Sequence, residues 1–74
     1  MSFKYPLLPP KDIIKAIKKL GFEKCSRKGS HAKYVNYNTG KIFIIPMHYE
    51  VARGTLKSIL EQSEIELEEF LKKL

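Results

Sequence analysis

The sequence predicts an α+β domain: one helix, a three-stranded antiparallel meander, a second helix and a short third helix, with the helices layered on one face of a small sheet. Three observations predict it. Apolar residues recur at helical spacing from Pro10 to Leu20; strand-like runs separated by glycine-bearing turns fill Phe22 to Pro46; and helical spacing returns from Ala52 to the end.

Pro9-Pro10 supplies the first helix start, because proline's missing N–H would have been unpaired at that position anyway. Asp12 complements the helix dipole in the first turn. Ile13, Ile14, Ile17 and Leu20 form the apolar stripe, with Lys15, Lys18 and Lys19 on the opposite side, and Gly21 stands where a left-handed cap residue is wanted. Phe22 to Arg27 reads as the first strand, with Cys25 as a small half-buried member. Lys28-Gly29 makes a hairpin turn, since glycine tolerates positive φ. His31 to Tyr37 is the second strand, with Ala32 and Tyr34 on one face and His31, Lys33 and Val35 on the other. Asn38-Thr39-Gly40 turns the chain again, Ile42 to Ile45 is a continuously apolar third strand, and Pro46 ends its ladder. Thr55, Leu56, Ile59 and Leu60 mark a helix from Ala52 to Gln62. Ser63-Glu64-Ile65-Glu66 fits a capping box that opens a last amphipathic helix, whose stripe is Leu67, Phe70, Leu71 and Leu74.

Seventy-four residues make one small domain, 1–74, in which residues 1–8 form an extended or disordered arm. A chain this short buries only about 60% of its unfolded surface, so a disulfide, a metal or a partner is the usual source of extra stability. Cys25 alone cannot form an internal disulfide, and with two separated histidines it is too little for structural zinc. A partner is the remaining source. No apolar run approaches the roughly 20 residues that cross a bilayer, and no signal peptide is recognisable. The expectation is a soluble, cytoplasmic protein without membrane contact.

Charge points to the partner's chemistry. Residues 1–60 carry twelve Lys or Arg against three acids, and residues 61–74 two against five, so a basic body ends in an acidic tail. No acid occurs between Glu23 and Glu50, where Lys24, Arg27, Lys28, Lys33, Lys41 and both histidines are found. A solvated lysine-rich surface is the bland account of such a composition. The acid-free window favours a polyanion, and hence nucleic acid. Within it, Lys28-Gly29-Ser30-His31 puts a tight turn, a hydroxyl and an imidazole together, where chemistry on a phosphate-bearing substrate is expected.

Lys28-Gly29-Ser30-His31, Ile45-Pro46-Met47-His48 and Gly54-Thr55-Leu56-Lys57-Ser58-Ile59-Leu60, in this order and spacing, resemble the successive signatures of the HicA toxin family. The similarity runs from Pro10 to the end and includes Gly21-Phe22 and Glu69-Phe70; Ser63 stands where a glycine is expected. The resemblance implies a fold like the double-stranded-RNA-binding domain. It also implies a toxin that cleaves messenger RNA, a HicB-like antitoxin as partner, and a catalytic histidine at His31.

Chemistry is compatible with that implication. RNA carries its own nucleophile in the 2′-hydroxyl, so a ribonuclease needs a proton carrier and positive charge but no catalytic serine, metal or cofactor. Histidine as a residue type titrates near neutrality and suits acid–base work. Lys28, Gly29 and Ser30 are the expected phosphate-side support, and Lys24, Arg27, Lys33 and Lys41 the electrostatic footprint. His48 reads more readily as a structural histidine after Pro46, yet a second proton-transfer group is wanted, which keeps it a candidate. Tyr34 and Tyr37 read as core and surface strand residues rather than base-stacking platforms. No acidic partner for a Ser-His-Asp triad is apparent. Two other classes compete: a non-catalytic RNA-binding module using the same basic surface, and a protein-interaction module using the acidic last helix and the uncovered sheet face.

Overall fold

The computed structural model describes residues 5–74, and its elements follow the expected order: α1 (Pro10–Lys19), β1 (Glu23–Lys28), β2 (His31–Val35), β3 (Ile42–Pro46), α2 (Arg53–Ser63) and α3 (Leu67–Lys72). The strands pair antiparallel in the order β1-β2-β3. Ala32, Tyr34, Phe43 and Ile45 point from the sheet into one core with Ile13, Ala16 and Ile17 of α1, Leu56, Ile59 and Leu60 of α2, and Phe70 of α3. The helices therefore cover one face and leave the other open. Of the expected arm, residues 1–4 lie outside the described residues; from Tyr5 onward the chain is laid on the domain. Arg53 Nε donates to the Tyr5 carbonyl at 2.8 Å, and the Val51 N–H donates to the Leu8 carbonyl at 2.9 Å.

Both long helices end in the same way. At α1, the Phe22 N–H bonds the Ile17 carbonyl and the Gly21 N–H the Lys18 carbonyl, a Schellman motif with Gly21 at φ 99°. At α2, the Ile65 N–H bonds the Leu60 carbonyl and the Glu64 N–H the Glu61 carbonyl, and here Glu64 takes the left-handed position at φ 57°. The glycine-favouring position is thus Glu64, one residue beyond Ser63.

Five expectations need correction. The hairpin turn is Gly29-Ser30 rather than Lys28-Gly29, because Lys28 is the last residue of β1 and pairs with His31. The capping box does not form: Ser63 closes α2, its buried hydroxyl donates to the Ile59 carbonyl at 2.7 Å, and Glu66 precedes α3 with no side-chain cap. Strand β2 stops at Val35, because Asn36 Oδ1 accepts from the Asn38 N–H at 2.9 Å and starts a side-chain-directed turn. Cys25 is exposed rather than half-buried, as the unpaired residue of a β-bulge between Lys24 and Ser26. Of the expected stripe only Leu67 and Phe70 are buried; Leu71 is exposed, and so is Leu74, which lies beyond the end of the six-residue α3.

Candidate active site on the open face of the sheet

Residues opposite one another in adjacent strands share a face, so the register determines which side chains meet. Lys28 faces His31, which faces Pro46; Ser26 faces Lys33, which faces Ile44. Two rows cross the open face in this way, one at the hairpin end and one behind it. Ser26, Lys28, His31, Lys33 and Ile44 line a shallow depression of about 390 Å³. Its floor is part apolar, with Ile44 53% exposed, and its walls carry two lysines and the imidazole.

The turn that presents His31 is held from two sides. Gly29 takes φ 59°, the positive value that a two-residue hairpin with glycine first requires. Arg27 Nε donates to the Gly29 carbonyl at 3.0 Å, and the Met47 N–H donates to the Ser30 carbonyl, tying the turn to the chain leaving β3. That second tie brings His48 close: its ring centroid lies 6.5 Å from that of His31, with the planes at 66°. Beneath the depression, on the core side of β2, Tyr34 stacks on Phe43 at 5.7 Å with ring planes 9° apart. Burial raises the Tyr34 phenol above its ordinary value, and the Arg27 charge acts in the opposite direction.

The sequence-selected residues therefore divide. Lys28, Ser30, His31, Lys33 and His48 gather at the hairpin end of the sheet, with Gly29 and Arg27 shaping the turn. Lys24 and Lys41 do not join them. The bulge at Cys25 sets Lys24 opposite Tyr34, so it leaves the open face and lies with Lys18, Phe22 and Glu23. Lys41 precedes β3 at the opposite end of the sheet, where it pairs with Glu64 at 2.6 Å. Ser26 and Ile44 belong to the depression and were not singled out by sequence. Counting back from the hairpin pair Lys28–His31 would have found Ser26, whereas Ile44 was hidden in a run that reads as buried on both faces.

A larger depression, about 650 Å³, lies by the end of α2, but Glu61, Glu64, Glu66 and Glu68 surround it, and Lys57 is the one base among the described residues that line it. Its charge repels phosphates, so the smaller basic depression is the better seat for a polyanion. Among the described residues no three of His, Cys, Asp and Glu gather as a metal site needs. Among them, too, no helix is long and apolar enough to cross a membrane.

Comparison with protein families gives a match to the family described as HicA toxin of bacterial toxin–antitoxin, over residues 10–65 of the 74-residue chain. Comparison with curated proteins gives no match.

Proposed function

The chain belongs to the HicA toxin family of bacterial toxin–antitoxin systems, and on that premise we propose that it is a metal-independent endoribonuclease acting on messenger RNA and held inactive by a HicB-like antitoxin. One observation carries the reading: His31 opens onto a basic, nucleotide-sized depression on the uncovered sheet face, between Lys28 and Lys33.

In this account His31 carries a proton in the attack of the ribose 2′-hydroxyl on the adjacent phosphorus. Lys28 and Lys33 offset the charge that grows on the phosphoryl oxygens. Gly29 and Ser30 let the backbone come close to the phosphate, and Arg27 keeps the turn in shape. Lys24 and Lys41, set apart from the depression, add only to the long-range field that draws RNA in. The antitoxin contact follows from the same face. Ile42 and Ile44, 45% and 53% exposed, give a partner apolar footing beside the lysines, and a partner with acidic groups would cover His31 while seated there.

The purified chain incubated with long single-stranded RNA and EDTA should cut it, leaving a 2′,3′-cyclic phosphate and a 5′-hydroxyl at each break. RNA that is bound but left whole would make the chain a non-catalytic RNA-binding module. Cleavage that appears only when a divalent ion is added would contradict the mechanism.

A further inference from the structure

Cleavage by the 2′-hydroxyl needs two proton transfers, and the depression itself holds one imidazole. The proton of the 2′-hydroxyl must leave as its oxygen lone pair attacks phosphorus. The bond from phosphorus to the 5′-oxygen then breaks, its electron pair goes to that oxygen, and a proton must arrive there. Proton count is unchanged overall, and no oxidant or other reactant enters. Each carrier must come within about 3 Å of its own oxygen. Two carriers serving opposite sides of one phosphorus therefore stand a phosphate's width apart, close but not bonded to each other.

The two histidines meet this requirement. Their ring centroids are 6.5 Å apart and edge-on at 66°, and both side chains are exposed. They come from separate elements, His31 from the first position of β2 and His48 from the bend after β3. Pro46 stands opposite His31 in the ladder, and the Met47 N–H bonds the Ser30 carbonyl, so the residues on either side of the contact are fixed to each other. His48 lies next to His31 but outside the ring of residues that line the depression.

We propose that His48 is the second proton carrier of the reaction, the general acid that protonates the departing 5′-oxygen, while His31 takes the proton of the 2′-hydroxyl. The inference rests on the ribonuclease reading above. The nucleotide whose 2′-hydroxyl attacks occupies the depression, against Ile44 and beside His31. The departing nucleotide leaves over the rim, where His48 stands.

A substrate with sulfur in place of the bridging 5′-oxygen tests the assignment, because a thiolate leaves without a proton. On ordinary RNA, His48→Ala and His48→Gln should each lose about 100- to 10,000-fold in cleavage rate. On the 5′-thio substrate both variants should regain nearly the wild-type rate, whereas His31→Ala should stay slow on both. Equal losses by the His48 variants on the two substrates would make His48 structural and overturn the proposal. Full activity of the His48 variants on ordinary RNA would overturn it too, as would rescue of His31→Ala in place of His48→Ala. Wild-type protein that cuts neither substrate would overturn the ribonuclease reading, and the role of His48 with it.

Discussion

Tyr34 lies behind the site, on the core side of the strand that carries His31 and Lys33. Its ring is buried against Phe43, while the neighbouring Lys33 points to the open side of the same strand. Burial lifts its phenol above the ordinary 10.0, against the smaller opposing effect of Arg27. A raised value means that the folded chain keeps this proton to higher pH than the unfolded chain does. The associated stability is fully present below pH 10.0 and is lost as pH rises through the folded value. Thermal unfolding of Tyr34→Phe should match wild type near neutrality and show a shallower loss above about pH 10. Parallel alkaline limbs for the two proteins would contradict this. The sequence marked Tyr34 as a core strand residue from its alternation with Ala32. It could not show the ring stacked on Phe43, since the β2–β3 register, not local pattern, sets that pair.

At the scale of elements, helix ends and strand irregularities were the least legible features. Helix α1 was readable nearly to the residue, because Pro10 and Gly21 punctuate it and Ile13 and Ile17 keep helical spacing. Helix α2 ends without glycine, and Ser63-Glu64-Ile65-Glu66 imitated a start signal where the chain makes a stop. The distinction has measurable consequences. Ser63→Gly removes a buried hydroxyl bond to the Ile59 carbonyl and adds a flexible residue to the helix, a loss of about 1–2 kcal/mol. Glu64→Gly relieves a left-handed backbone and gives up only an exposed pair with Lys41, so it should be neutral or stabilise by up to about 1 kcal/mol. Urea unfolding of the two variants checks the contrast, and equal destabilisation would place the left-handed position wrongly. The bulge at Cys25 had no sequence signal strong enough to read. It is nevertheless what turns Lys24 away from the face that Ser26 and Lys28 share.

For the whole molecule, the one-sided layering was legible and the sorting of its charges was not. Periodicity gave helices, meander and helices, and Ala32 and Tyr34 identified the covered face. The acid-free window gave the basic surface, but linear order joined Lys24 and Lys41 to a cluster that the fold breaks up. The proposed site therefore predicts unequal lysines. Lys28→Ala and Lys33→Ala should each weaken binding to single-stranded RNA and flatten its salt dependence by about 0.7 in log–log slope. Lys24→Ala and Lys41→Ala should leave the slope nearly unchanged, and equal effects from all four would argue for diffuse attraction without a seat. The cleavage rate of His31→Ala, set beside its affinity for the same RNA and measured with EDTA present, decides whether this imidazole carries the reaction. A proton-carrying role for His31 predicts loss of cleavage by about 100-fold or more with affinity largely kept. Cleavage by His31→Ala at the wild-type rate would contradict it.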